Sequence, residues 1–327
     1  MDARAFPGLD RLSTASGLLA LGVLGALPIF FPGKYLTGVL TVAAIYGLWA
    51  VSWDFMSGLT GRENFGHSLF IGVGAYAAGF MNVKLGFGPW WSLPSAMLVA
   101  MAFGLVLGIP TLRLKGPYFA LAMLSAAVIM QRLMLIFWEE TGGEEGIQDI
   151  TPLIKDHLHY YWFVLALLGA STVSLAALAR SRWGLILRAI RGDEATCLAA
   201  GLPITRYKIV SLMISAAFAG LGGALYAHYQ LQVSPQLFAV VTSITIITMV
   251  YVGGIGTIYG AAGGALLLTI MTEGLRQVGE WRLMAYSVML ILIIFFLPSG
   301  IIAPSWQRLR KSLGGTDRGL VGGGPAG

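Results

Sequence analysis

Four ionisable side chains stand inside otherwise apolar stretches of this chain: Asp54, His67, His228 and Glu273. An ionisable group at membrane depth is costly without a partner or water, so such residues are candidates for proton relay or acid–base work. Asp54, His67 and Glu273 would suit a relay in a proton-coupled carrier, and Asp54 with His67 an acid and a base in an intramembrane enzyme. Hydrogen bonding within a helix bundle is the plainer role for the two histidines. No second His or Cys offers metal-ligand spacing, and His157 and His159 read as a loop pair. The sequence contains no Gly-x-x-x-x-Gly-Lys-[Ser/Thr], Gly-x-Ser-x-Gly, His-Glu-x-x-His or Cys-x-x-Cys. That argues against a phosphate-cradling loop, a serine hydrolase, a zincin or a redox enzyme, so any ATP hydrolysis belongs to another polypeptide. Cys197, the single cysteine, excludes an internal disulfide and reads as a small packed residue.

Composition decides what must hold these residues. With 57% hydrophobic and 11% charged residues in 327, and a mean hydropathy of +0.77, the chain has too few charges to cover a soluble surface. It reads as an all-α integral membrane protein. Apolar runs of about 20 residues, enough to cross a bilayer core, fall near 15–31, 35–57, 65–83, 90–110, 117–137, 159–179, 208–230, 236–253, 257–276 and 281–297, which predicts ten transmembrane helices. The first run lacks a small-x-small cleavage site and reads as a span rather than a cleaved signal. The 44 glycines, without a collagen period, point to close helix packing.

Short cytoplasmic loops are enriched in Lys and Arg. With both termini inside, fifteen of the 21 basic residues face the cytoplasm, including Arg62, Arg113, Lys115 and six between Arg180 and Lys208. Lys34, Lys84, Lys155, Arg276 and Arg282 then lie outside, and Arg132 falls within the fifth span. Gathered at span ends rather than interleaved with exposed aromatics, the basic residues indicate topology, not nucleic acid. The predicted organisation is a cytoplasmic tail over 1–14, a transmembrane domain over 15–303 and a disordered cytoplasmic tail over 304–327.

Two loops stand out. Within the basic loop 180–208, Asp193 to Gly201 reads as a short polar helix stopped by Gly201-Leu202-Pro203, and a loop that folds implies a docking partner. Arg180, Arg182, Arg206 and Lys208 are expected to anchor its ends at the membrane surface. The outer loop 138–158 carries Glu139, Glu140, Glu144, Glu145, Asp149 and Asp156, a candidate docking surface for an extracytoplasmic protein.

Glycine-rich reversals recur in two halves: Gly58 to Gly61 with Gly66, Gly72 and Gly74, and Gly253 to Gly256 with Gly260, Gly263 and Gly264. The pattern suggests a parallel repeat, and paired helix breaks are where transporter solute sites form. Gly256, Gly260 and Gly264 are expected on one packed face of the ninth span.

The run from Gly58 to Tyr76, with its Gly-His at 66–67 and Gly-Val-Gly-Ala-Tyr at 72–76, resembles a signature of permease subunits from branched-chain amino acid ABC importers. So do 112–120, 141–146, 181–191, 206–208, 219–226 and 253–257, a likeness covering about 36 to 301. The resemblance implies a permease of a bacterial inner membrane that carries branched-chain or related hydrophobic amino acids; relatives of this type also serve amides, urea and aromatic acids. It implies two cytoplasmic ATPase subunits, which bind ATP and Mg, a second homologous permease and a periplasmic binding protein, with no cofactor in this chain itself.

It assigns ATPase coupling to Arg188, Arg191, Asp193, Glu194, Ala195 and Gly201. It places the translocation pathway at Asp54, Gly61, Asn64, His67, Tyr118, Gly253, Gly254 and Gly256, and binding-protein docking at Glu139, Glu140, Glu144 and Glu145. The chain departs from the usual Asn, Gln and Ser at Asp54, Arg62 or Glu63, and Asn64, and has Glu144-Glu145 where Ser-Asp is usual.

Overall fold

In the computed structural model the described residues are 33–114 and 117–274, together with 25, 27 and 28. Among them the chain is helical, with one isolated bridge between Ile147 and Val233. The first helix, α1 (Lys34–Trp53), ends in a π-helical turn, Asp54–Gly58. Helix α2 (His67–Gly79) likewise runs into a π-helical turn, Phe80–Lys84. There follow α3 (Pro89–Thr111), α4 (Tyr118–Ile136), the short α5 (Trp138–Thr141) and α6 (His157–Arg180). The basic loop folds as α7 (Arg182–Gly192) and α8 (Glu194–Ala199) before α9 (Ile204–Gln230), α10 (Val240–Gly253) and α11 (Tyr259–Gly274).

Among the described residues five helices are long and apolar enough to cross a membrane: Lys34–Gly58, Pro89–Thr111, Tyr118–Ile136, His157–Arg180 and Ile204–Gln230. Their bounds follow the apolar runs closely because hydropathy and local caps act over the same few residues. Asp156 shows this at α6, where its carboxylate accepts from the His159 amide at 3.1 Å. His157 and His159 therefore open a helix rather than lie in a loop. The expected spans near 15–31 and 281–297 and the two tails fall outside the described residues, apart from residues 25, 27 and 28.

The run at 236–253 differs from expectation. Its helix covers only 14 residues, about 21 Å at 1.5 Å per residue, short of a ~30 Å core. The expected span starts at Gln236, yet Pro235–Phe238 is a 3-10 turn. It descends beside α2, where Phe238 packs against Gly72 and lies 5.7 Å, ring to ring, from Tyr76. Irregular backbone at such depth needs cover from protein or a water-filled cavity, and Val233, Pro235 and Phe238 are buried.

Helix α9 is the hub, packed on α3, α2 and α1. Its small-residue stretch explains the approach: a Cβ at Gly74 would lie 2.3 Å from Gly220 Cα, and one at Gly220 2.5 Å from Ala100 Cβ. Where lipid gives no hydrophobic drive, such contact is what holds helices together. Gly260 and Gly264 of α11 do pack closely, on Gly253 and Met249 of α10. Gly256 does not join them on that face: with φ +80 it sits in the turn before α11.

Polar contacts sort to two ends of the bundle. At the basic end, 58–66, 112–114, 180–208 and 254–259 meet, as in Arg62 to Leu114 O at 3.3 Å and Arg180 over the Tyr259 ring at 6.0 Å. At the acidic end Lys84 faces Glu140 at 4.0 Å, and Asn82 accepts from the Thr151 amide at 2.8 Å.

Candidate functional site

The glycine-rich reversals meet at the basic end. The π-helical turn closing α1 points Asp54 inward, fully buried, where its two oxygens accept from Gly256 N at 2.6 Å and Ile258 N at 2.8 Å. These amides precede α11, whose N-terminus has main-chain donors to satisfy and favours negative charge. A carboxylate from one reversal thus organises the start of the helix after the other. The fit excludes a side chain at Gly58, where a Cβ would lie 2.1 Å from Asp54 Oδ1 and 2.9 Å from Gly256 N.

The folded loop reaches the same point. Arg191, in the last turn of α7, donates through Nη1 to the main-chain oxygen of Gly58. Its aliphatic stem crosses Gly61, whose φ of +70 suits glycine and whose Cβ would come 2.9 Å from Arg191 Cγ.

Glu194 holds the loop from the other side, with Arg62 Nη2 at 2.5 Å and Lys208 Nζ at 2.6 Å. Partial burial opposes its ionisation, but the Lys208 and Arg62 hydrogen bonds and charges prevail and keep the carboxyl below its usual range. Asp193 caps α8, accepting from Ala195 N at 2.9 Å and from the Thr196 hydroxyl. Those bonds, the Thr196 hydroxyl first, hold its carboxyl low as well. Lys208 is 2% exposed, so it does not anchor the loop at the membrane surface. The reason is the helix start: α9 begins at Ile204, which places Lys208 on its buried face beneath Glu194. A groove of about 580 Å³ opens between this loop and the first reversal, lined by Arg62, Glu63, Arg191, Asp193 and Glu194 among others.

A match to a family model supplies the remaining observation: residues 35–297 fit the branched-chain amino acid transport system / permease component family. The chain belongs to this family of permeases. The permease is 29% identical over 326 residues to the high-affinity branched-chain amino acid transport system permease protein LivM of Salmonella typhimurium, covering 91% of this chain and 77% of the relative. It is 24% identical to the probable LivM of Methanocaldococcus jannaschii, covering 81% of this chain and 92% of the relative. LivH of Escherichia coli K12 is 24% identical over 302 residues, covering 84% and 96%. No solved structure matches the permease.

Of the residues singled out in the sequence, the permease brings together Asp54, Gly61, Arg191, Asp193, Glu194 and Gly253 to Gly256. Ala195 and Gly201 belong to the same loop, Gly201 with φ +76 just past α8. Arg188 turns away, donating to Ala179 O at 2.9 Å and bracing α7 against α6.

Asn64 and His67 line up inside the bundle. Asn64 Oδ1 accepts from Gly66 N at 3.0 Å, and His67 Nε2 lies 3.0 Å from Ser52 Oγ. Tyr118 is 64% exposed at the start of α4, apart from the rest. At the acidic end Glu139, Glu140, Glu144 and Glu145 are all exposed on α5 and the turn after it. Cys197 packs with Ile190 and Ile204, as a small core residue would.

The sequence did not mark Lys208 as the buried partner of Glu194, or Ile258 as a partner of Asp54. The periodicity of α9 could have revealed the first; nothing local signals a main-chain amide 204 residues away.

Proposed function

We propose that this permease is the membrane-spanning subunit of an ATP-binding-cassette importer that moves branched-chain or related hydrophobic amino acids handed over by a periplasmic binding protein. In this reading ten helices span the bacterial inner membrane with both termini in the cytoplasm. The basic end faces the cytoplasm and two ATPase subunits, which hold ATP and Mg; a second homologous permease completes the pathway. The exposed glutamates at 139, 140, 144 and 145 receive the binding protein.

One arrangement supports the coupling role most directly: the folded loop is bonded to both helix breaks, by Arg191 to Gly58 and from there through Asp54 to Gly256. A push on α8 would reach the reversals through packed, hydrogen-bonded elements, as a switch between discrete arrangements needs. The same geometry favours an importer over a proton-coupled carrier, because both Asp54 oxygens are committed to main-chain amides.

Co-purification tests this reading. The tagged chain is expected to bring down two ATPase subunits and a second permease, and reconstituted vesicles to take up leucine only with ATP and the binding protein. A transport-competent preparation without any ATPase would refute it.

A further inference from the structure

From the last residue of α9 into the 3-10 turn before α10, neutral polar residues stand at every second position: Gln230, Gln232, Ser234 and Gln236. Between these two helical pieces the acidic loop holds residues 232–234 extended, since Ile147 and Val233 exchange both main-chain bonds, and Ile150 N donates to Leu231 O. Leu231 takes φ +59, an uncommon conformation for a residue with a side chain. An extended backbone sends successive side chains to opposite sides. Val233 is buried beside Ile147, while the four polar residues line a separate cavity of about 190 Å³.

Tyr46, Trp49, Tyr226 and Thr242 form the rest of that cavity's polar and aromatic wall. Tyr46 lies in α1, which starts at Lys34, so the cavity reaches about 18 Å along that helix. The rings interlock, Tyr46 to Trp49 at 4.8 Å and Trp49 to Tyr226 at 5.5 Å between centroids. Trp49 is 1% exposed, its indole nitrogen set against Gly222 of α9, where a Cβ would lie 2.5 Å from it. Among the described residues, no Asp, Glu, Lys or Arg lines the cavity.

We propose that this cavity is a binding station on the solute pathway, shaped for a small zwitterion without net charge. The proposal rests on the importer reading above. The carboxamide and hydroxyl groups would meet the solute carboxylate, and the aromatic faces its ammonium. A neutral lining tolerates the balanced charges of a zwitterion but gives no counter-charge to a solute of net charge. The irregular segment exists at this depth because it lines the cavity, a role that broken helices take in transporters.

The test uses the complete importer in vesicles, with Cys197→Ser as background and leucine-loaded binding protein as the solute source. Cysteine is introduced singly by Gln232→Cys and Thr242→Cys, and a membrane-impermeant methanethiosulfonate is added outside. Both cysteines are expected to react, more slowly during leucine transport, and uptake to stop once they are modified. Gln232→Leu removes one carboxamide from the lining; it is expected to raise the KM for uptake about tenfold, the size of one lost hydrogen bond to a charged group. If unsubstituted importer takes up leucine but Thr242→Cys is inert, or reacts without losing uptake, the site is overturned and the importer reading stands. An unchanged KM in Gln232→Leu overturns it equally. If unsubstituted importer shows no ATP-driven uptake, the importer reading falls and the site with it.

Discussion

Arg191 Nη1 donates to the main-chain oxygen of Gly58, 133 residues earlier in the chain. That bond joins the last turn of a loop helix to the helix break on which Asp54 also converges. Lysine cannot copy it, because a single ammonium lacks the planar fork and reach of guanidinium. Arg191→Lys is therefore expected to leave ATP hydrolysis running while uptake falls about tenfold, the equivalent of one charge-assisted bond. Equal retention of both activities, measured in vesicles, would remove the bond from the coupling path.

Asp54 satisfies two main-chain donors with one carboxylate. Asp54→Asn retains the shape but replaces one accepting oxygen with a donor facing an amide N–H. A loss of about 2 kcal/mol is expected, the cost of one buried donor left unmet. Faster hydrogen exchange at the Gly256 and Ile258 amides should report it locally, and unchanged protection there would contradict the assignment.

Glu194 predicts a pH dependence. Its folded-state carboxyl is held below the usual value of 4.5 despite the opposing effect of burial. A depressed folded pKa contributes stability at pH above the unfolded value, and that stability is lost as pH falls through the folded one. Docking of residues 193–204 should thus weaken as pH drops below the ordinary carboxylate range, with little change above it. Hydrogen exchange of the loop across that range checks the sign.

The Glu194–Lys208 pair also predicts non-additivity. Glu194→Gln strands the buried Lys208 charge and is expected to cost about 2–3 kcal/mol, below the full penalty because Glu194 is partly open to water. Adding Lys208→Met should recover most of that loss. Additive losses in a double-mutant cycle would mean the pair does not interact energetically.

Gly74 offers a sign test. In an isolated helix Gly→Ala stabilises by about 1 kcal/mol, but here the new Cβ would lie 2.3 Å from Gly220 Cα. Gly74→Ala is expected to destabilise by at least about 2 kcal/mol, as overpacking does. Gly274→Ala, with nothing among the described residues within 4 Å of its Cβ, should not. Thermal unfolding of both variants in detergent decides it.

Much of the architecture was legible because its causes are local. Apolar runs of membrane length gave helix positions for α1, α3, α4, α6 and α9, and Asp193 with Gly201 bracketed a helix in the basic loop. The 236–253 run misled, because hydropathy does not distinguish a buried 3-10 turn from a helix when both are apolar. At the site, sequence marked Asp54, Gly58, Arg191 and Glu194 as unusual without pairing them.

By itself the sequence determined that this chain is helical, membrane-spanning and broken by glycine at two places, since hydropathy, caps and glycine act within a turn or a span. Tertiary structure alone decided that Asp54 serves the second break, that Lys208 lies beneath Glu194, and that alternate residues from Gln230 to Gln236 share one cavity. Those relationships join residues distant in the chain or depend on how a helix end, a short extended stretch and a 3-10 turn follow one another. No local pattern encodes which partner packing will bring within reach.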